Sequence, residues 1–157
     1  FKLMSYKPII IVAGEPNSIF FEIFFKVEKK KFKSPIILVA SKKLIIKQAK
    51  ILKKKINYNL INENDLIKKK NKLKKINLIN VDLKQNKAFD KITSKSNKYI
   101  SSCFKIALRL IKNDISNKLI NGPISKKTFL KNKFNGITEY LVKKTNSLSF
   151  IMIRNII

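Results

Sequence analysis

The sequence has no histidine, one cysteine, three glycines and nine acidic residues among its 157 residues. One cysteine excludes an intrachain disulfide, and the absence of histidine removes the usual base for a thiol nucleophile. Nine carboxylates without a histidine offer little for a zinc centre, so we expect no metal site on this chain. The apolar runs are too short to span a bilayer, and the first residues lack a signal-peptide pattern. We therefore expect a cytoplasmic protein that does not bind membranes.

The formal net charge of +27 is the most unusual property of the composition. Lysine outnumbers arginine 34 to 2, whereas base and phosphate recognition draws heavily on the planar fork of arginine. The lysines are spread along the chain rather than gathered in one stripe with exposed aromatic residues. We expect no specific nucleic-acid partner. The alternative is a non-catalytic basic α/β domain that binds RNA or another polyanion.

Short β-branched apolar runs alternate with amphipathic helical patterns along the chain. The apolar runs predict strands at 8–14, 34–40, 56–61, 76–81, 117–123 and 148–153. Helices are predicted at 18–29, 41–54, 98–113, 125–131 and 139–146, with a short helix between the third and fourth strands and a polar loop at 83–97. Asn17 or Ser18 is available to cap the first helix, and Ser41 the second. This order predicts an α/β fold, a mostly parallel sheet with helices on both faces.

The single cysteine lies within the helical pattern at 98–113. Apolar residues recur there at helical spacing, on a face formed by Ile100, Cys103, Phe104, Ala107, Leu108 and Ile111. We therefore expect Cys103 to be a buried core residue rather than a reactive thiol.

The three glycines predict where a ligand would bind. Gly14 and Gly122 each follow a predicted strand, and a proline comes within two residues, in Gly14-Glu15-Pro16 and Gly122-Pro123. Ligands of open α/β sheets bind beyond the carboxyl ends of strands, where loops lead into helices. We expect these loops to line a crevice, together with the loop at Gly136.

A second set of residues around the last predicted helix suggests an anion site. Thr138 is expected to cap the helix that begins near Glu139, and Gly136 lets a ligand approach the backbone closely. Lys126, at the start of its own predicted helix, supplies a cationic head. These residues predict a phosphate-binding site.

Three segments resemble the 4-hydroxythreonine-4-phosphate dehydrogenase family of pyridoxal phosphate biosynthesis. AGEPNSIFFEI (13–23) is similar to its G-[DE]-P-x-[GS]-I motif, LINGPISKKTF (119–129) to its T-x-P-[IV]-x-K motif, and FNGITEYLVKKT (134–145) to its P-G-H-T-E-[FY]-[LF] motif. Other familiar signatures, such as G-x-G-x-x-G and the P-loop, are absent. The resemblance implies a fold like that of isocitrate and isopropylmalate dehydrogenases.

The resemblance also implies an activity. Family members oxidise the alcohol of 4-phosphooxy-threonine with NAD, and decarboxylation follows; a divalent metal (Zn, Mg or Co) bound by three histidines polarises the reacting oxygen. The family's histidine-threonine pair binds substrate. Carried over, the threonine is Thr138, the motif lysine is Lys126, and Ile137 occupies the histidine position. The full-length enzyme is expected to be a homodimer.

This chain departs from the family pattern in ways that affect function. Ile137 cannot donate the hydrogen bond of the histidine that it replaces, and Ile19, Phe20 and Phe21 replace a smaller glycine-containing turn. The resemblance covers only the N-terminal half of a family member, so the metal histidines and most NAD contacts are expected in a missing C-terminal part. We therefore expect residues 1–157 to be a truncated portion of a larger α/β dehydrogenase, beginning properly near Met4 and inactive alone, with no catalytic residue assigned.

Overall fold

The computed structural model describes residues 6–145, so Met4 and the strand predicted at 148–153 lie outside the described residues. The chain divides into two compact units, Phe1–Pro123 and Ile124–Ile157, called here the first and second units. Across residues 6–145, none of the helices combines the length and apolar character needed to cross a membrane.

The first unit is built on a five-stranded sheet in which all neighbouring strands are parallel. The strand order is β3-β4-β2-β1-β5. The strands are β1 (Ile9–Val12), β2 (Ile36–Ala40), β3 (Asn59–Leu60), β4 (Ile76–Asn80) and β5 (Leu119–Asn121). Every strand predicted within residues 6–145 is present, although β3 is shorter than predicted.

Four helices accompany this sheet: α1 (Phe20–Val27), α2 (Lys42–Ile51), α3 (Glu63–Ile67) and α4 (Asn97–Lys112). A 3₁₀ turn at Ser94–Ser96 leads into α4. The connections that contain α1 and α2 cross the sheet in one direction, and those that contain α3 and α4 return in the other. Because parallel crossovers are right-handed, the two pairs of helices cover opposite faces. The observed α1–α2 and α3–α4 contacts agree with this arrangement, which confirms the predicted α/β class.

The core lies on both sides of β2, whose five residues are all buried. Phe21 and Phe25 of α1 and Ile45 of α2 belong to the same buried cluster as Leu38 of β2. Burying a side chain of this size contributes roughly 1.5–3 kcal/mol. The continuous apolar strand and the apolar faces of the helices therefore determine the layered architecture.

The buried face of α4 includes Cys103, as predicted, but some of its other residues differ from the predicted ones. Cys103 is completely buried, as predicted. Leu108 and Ile111 are only half-buried, and Tyr99 and Leu110 are buried in addition to the predicted positions. The buried stripe is thus rotated slightly from the one read from the sequence.

The helix starts follow local capping chemistry. The Ser41 hydroxyl accepts a hydrogen bond from the Leu44 amide at 3.3 Å, as predicted. The first helix begins at Phe20 rather than Ser18, and its N-cap residue Ile19 has no side-chain cap bond. The Ser18 hydroxyl instead accepts from the Phe20 amide at 3.3 Å.

The second unit contains one described helix, α5 (Ile137–Thr145). The helix predicted at 125–131 is wrong, because residues 126–129 form a turn. The Ser125 hydroxyl accepts from the Thr128 amide at 3.1 Å, and the backbone becomes left-handed at Lys131 and Asn132, with φ of 51° and 53°. Lys126 therefore lies in a turn and does not begin a helix.

Candidate functional site

The loops after β1 and β5 lie side by side at the carboxyl edge of the sheet. β1 pairs with β5 in parallel, so Gly14 and Gly122 follow neighbouring strand ends. The chain leaves β1 toward β2 on one side and later reaches β5 on the other side. The strand order therefore reverses between β1 and β5, which is where open α/β sheets bind ligands.

Close approach of the two backbones explains why both positions are glycine. Gly14 has a φ of +78°, and a Cβ at this position would lie 2.5 Å from the carbonyl oxygen of Pro123. A Cβ on Gly122 would lie 2.1 Å from the carbonyl oxygen of Ala13. The Gly122 amide also donates to the carbonyl of Val12 at 2.8 Å, so the strand ladder continues into the loop. Side chains at these positions would force the loops apart.

The first loop is more enclosed than a ligand-lining loop would be. Gly14, Glu15, Pro16 and Gly122 are buried, and only Pro123 is exposed. The prediction that these loops line a crevice remains a prediction. Within the first unit, the two loops pack against each other. Glu15 is also hydrogen-bonded to Ser96, in the segment that follows β4.

Glu15 turns its carboxyl group inward. The Ser96 hydroxyl lies 3.3 and 3.4 Å from the two carboxyl oxygens, and the Asn17 amide donates to Oε1 at 3.3 Å. Burial raises the pKa of Glu15, and the hydrogen bonds from Asn17 and Ser96 partly oppose this shift. Glu15 therefore connects the first loop to the start of α4.

Asn17 joins the first loop to the polar segment at 83–97, a contact that the sequence did not reveal. Its side-chain amide donates to Gln85 Oε1 at 3.2 Å, and its oxygen accepts from Gln85 Nε2 at 2.8 Å and from the Asp90 amide at 2.9 Å. The segment was predicted correctly as a polar loop, apart from its 3₁₀ turn. Together with Asn17 it lines a half-open cavity of about 240 Å³.

Gln48 is a buried residue of this site that sequence reasoning missed. Its Nε2 donates to the carbonyl oxygens of Pro16 at 2.9 Å and Ala88 at 2.7 Å, which ties both loops to α2. Its Oε1 has no hydrogen-bond partner among residues 6–145. The available signal was a glutamine on the apolar face of α2, next to Leu44, Ile45 and Ala49.

The predicted anion site of the second unit gathers around the start of α5. The helix begins at Ile137, so Thr138 lies in its first turn and the prediction that Thr138 is the N-cap is wrong. The Glu139 carboxylate instead accepts from the Asn135 backbone amide at 2.9 Å and from its side chain at 3.0 Å. These bonds lower the pKa of Glu139, and the nearby charge of Lys126 lowers it further.

Lys126 and the first turn of α5 are therefore neighbours within the second unit. Ile137, in the position of the family histidine, is buried. No atom of the described residues lies within 4 Å of a Cβ built on Gly136, so packing does not require glycine there.

The residues present do not fit a bound divalent metal. No group of three His, Cys, Asp or Glu residues within positions 6–145 is placed to hold an ion. The whole sequence contains no histidine, and it contains no G-x-G-x-x-G motif for a dinucleotide.

The sheet and the glycine loops at the strand-order reversal define a parallel α/β protein. The sequence model of the family "Pyridoxal phosphate biosynthetic protein PdxA" matches residues 31–155. The chain belongs to this family. The match includes the motifs at 119–129 and 134–145.

Solved structures show the same fold. A Salmonella typhimurium protein assigned as a 4-hydroxythreonine-4-phosphate dehydrogenase has a TM-score of 0.76 at 18% identity, covering 92% of this chain and 46% of that one. The Klebsiella pneumoniae 4-hydroxythreonine-4-phosphate dehydrogenase has a TM-score of 0.75 at 18% identity, covering 94% and 46%. The Burkholderia phymatum enzyme of the same name has a TM-score of 0.71 at 15% identity, covering 89% and 44%. This chain thus spans about half the length of the structures that it matches. Among curated proteins, no sequence matches significantly.

Proposed function

We propose that this chain forms the N-terminal portion of a larger dehydrogenase that oxidises 4-phosphooxy-L-threonine, with decarboxylation, in vitamin B6 biosynthesis. The observation that carries the proposal is the family match over residues 31–155. In this proposal residues 1–157 supply part of one α/β dehydrogenase and have no turnover alone. The similar structures support it, because each is about twice as long as this chain.

The second unit supplies the phosphate contacts in this proposal. The amide groups of the first turn of α5 favour an anion, and the Thr138 hydroxyl lies in that turn. Lys126 adds a positive charge. This charge is close enough to lower the pKa of Glu139, which lies in the first turn of α5. The open space beside Gly136 leaves room for a ligand to approach the backbone.

Ile137 has a packing role instead of the family histidine's binding role. Its side chain carries no hydrogen-bonding group and is 9% exposed. Binding of the substrate therefore depends on Thr138, Lys126 and the backbone amides of α5, without a contact from position 137.

The loops at Gly14-Glu15-Pro16 and Gly122-Pro123 contribute separately, at the sheet edge of the first unit. Their hydrogen bonds hold the ends of β1 and β5 in one arrangement. In this proposal they present their backbone, rather than the buried side chain of Glu15, to a ligand at the sheet edge of the first unit.

The metal and NAD belong to the remaining portion of the family protein in this proposal. There a divalent Zn, Mg or Co ion would supply Lewis-acid polarisation of the reacting oxygen, and NAD would serve as the hydride acceptor. The described residues include no cluster of three metal ligands, and no step is assigned to the metal or to NAD. We further propose that the complete enzyme is a cytoplasmic homodimer.

A chimaeric enzyme tests this function. Residues 1–145 are joined to the C-terminal portion of the Klebsiella pneumoniae enzyme, and NADH formation from 4-phosphooxy-L-threonine is followed. We expect turnover from the chimaera and none from the 157-residue chain. A folded chimaera that binds NAD without oxidising the substrate would contradict the proposal.

Two variants of the same helix sharpen the test. Thr138→Val should lower kcat/KM by about 10- to 100-fold, the effect of losing one hydrogen bond to a charged group. Thr145→Val is the matched control, because the Thr145 hydroxyl bonds to the carbonyl of Leu141 at 2.9 Å in the last turn of α5. Equal losses in the two variants would exclude a substrate contact at Thr138.

A further inference from the structure

We propose that the cavity between Asn17 and the 83–96 segment is a second anion site that binds a phosphate group, either inorganic phosphate or the phosphate of a small metabolite. It is lined by Asn17, Leu83, Lys84, Gln85, Asn86, Lys87, Asp90, Lys91, Thr93, Lys95 and Ser96. All of these residues belong to the first unit. None of these residues belongs to the Lys126 and Thr138 site of the proposed function.

The charge around this cavity is unbalanced. Four of its lining residues are the lysines 84, 87, 91 and 95, and one is an acid, Asp90. Among residues 6–145 the ion pairs involve Lys7, Lys26 and Arg109, so none of the four cavity lysines is neutralised by an ion pair. Asp90 Oδ1 accepts a bond from the Lys91 backbone amide at 2.8 Å. The excess of positive charge favours an anion in the cavity.

The segment that carries these lysines is held in place from three sides. Asn17 and Gln85 exchange amide hydrogen bonds, and Gln48 donates to the carbonyl of Ala88 at 2.7 Å. Ser96, at the end of the segment, bonds to the buried carboxyl of Glu15. Because these contacts order the loop before any ligand arrives, binding costs less conformational entropy than it would in a free lysine-rich loop.

The start of α4 adds to the positive potential. This helix has 16 residues and no acidic residue in its first turn, and it begins immediately after Ser96. Its N-terminal dipole favours an anion near the cavity. The buried carboxyl group of Glu15 accepts a hydrogen bond from Ser96, the N-cap residue of this helix.

The dimensions and lining select the class of ligand. The volume of about 240 Å³ is below the usual range for a pocket that binds a drug-sized ligand. The residues that line it include no aromatic side chain on which a base would stack, and one apolar residue, Leu83. A phosphate group with a small polar remainder fits these features better than a nucleotide.

Titration of the 157-residue chain with inorganic phosphate, at constant ionic strength in chloride, tests the site. Binding is measured from the changes in backbone amide NMR chemical shifts and by calorimetry. Within the first unit, we expect shifts concentrated at Asn17 and residues 83–96. The double variant Lys91→Gln/Lys95→Gln should weaken binding at least about tenfold, since two charge-assisted contacts are removed.

A second double variant distinguishes binding at a defined site from general electrostatic attraction to the positively charged chain. Lys68→Gln/Lys70→Gln removes the same charge from exposed lysines outside the cavity, and its affinity should change less than about twofold. Equal weakening in the two double variants, or shifts spread over all lysine runs, would overturn the proposal. Shifts within residues 124–145 report phosphate binding at the Lys126 and Thr138 site of the proposed function, so the two sites are followed separately in one titration. A second titration with glycerol 3-phosphate distinguishes the two ligands. Binding tighter than that of inorganic phosphate indicates a phosphate ester, and weaker binding indicates the free ion.

Discussion

The backbone amide of Glu15 donates a hydrogen bond to the carbonyl oxygen of Pro123 at 2.8 Å. This bond joins two loops that are more than a hundred residues apart in sequence, at the point where the strand order of the sheet reverses. It continues the pairing of β1 and β5 past the last strand residues. The arrangement of the carboxyl edge of the sheet depends on this close approach.

Gly14→Ala should destabilise the first unit by at least about 2 kcal/mol. Alanine disfavours the φ of +78°, and its Cβ would lie 2.5 Å from a backbone oxygen that is itself hydrogen-bonded. Urea unfolding followed by circular dichroism measures the change. Gly136→Ala is the control and should cost at most about 1 kcal/mol, because its Cβ meets no described atom. Similar losses in the two variants would show that the contact with Pro123 is not tight.

Glu15 should make stability fall as the pH rises. Its folded-state pKa is raised by burial, so the folded state holds the proton more tightly than the unfolded state. Its contribution is fully present below the unfolded pKa, near 4.5, and is lost as the pH rises through the raised folded pKa. Because one proton is involved, the free energy of unfolding should change by at most about 1.4 kcal/mol per pH unit. Glu15→Gln should remove this slope in urea unfolding measured at a series of pH values.

Glu139 provides a comparison of opposite sign. Its pKa is lowered by the bonds from Asn135, so its contribution is present above the unfolded pKa and is lost as the pH falls through the lowered folded pKa. Glu139→Gln should therefore flatten the acid side of the stability profile. If both variants changed the profile in the same direction, the assignment of these slopes would be wrong.

Gln48→Glu should destabilise the protein strongly at neutral pH. The carboxylate would face the carbonyl oxygens of Pro16 and Ala88, which now accept from the Gln48 amide, in a completely buried position. An uncompensated buried charge costs about 3–5 kcal/mol, and protonation at acid pH should recover part of the loss. Gln48→Met removes the two bonds without adding charge and should be less harmful. Equal unfolding midpoints for the two variants at neutral pH would contradict this account.

Cys103 should react with thiol reagents only when the protein opens. Burial raises the pKa of its thiol to about 12, and the side chain has no exposed surface. Because the thiolate is the reactive form, labelling of the folded chain should be far slower than labelling in urea. Fast labelling under native conditions would place Cys103 outside the core.

Binding to RNA should be electrostatic and independent of sequence. A chain of net charge +27 with dispersed lysines releases counterions from phosphates, so affinity should fall by about 10³-fold or more between 50 and 200 mM salt. Competition between RNAs of different sequence at both salt concentrations measures this. Tight, sequence-selective binding at the higher salt would favour the alternative of a basic α/β domain that binds RNA.

Local patterns predicted most elements of the fold. Continuous apolar runs such as β2 and the cap at Ser41 depend on neighbouring residues, so they can be recognised from the sequence. The turn at 126–129 was mistaken for a helix, because the bond from Thr128 to Ser125 and the left-handed residues at 131 and 132 compete with helical propensity.

The sequence by itself determined the alternation of strands and helices, the burial of Cys103 and the positions of the glycine turns, because these follow from side-chain periodicity and backbone freedom. Tertiary structure alone decided that Gly14 packs on Pro123, that Glu15 turns inward to Ser96, and that Gln48 joins two loops. These contacts connect residues 32 to 109 positions apart. They form only after the sheet has brought the strand ends together, and no local pattern records which distant partner will then complete a hydrogen bond.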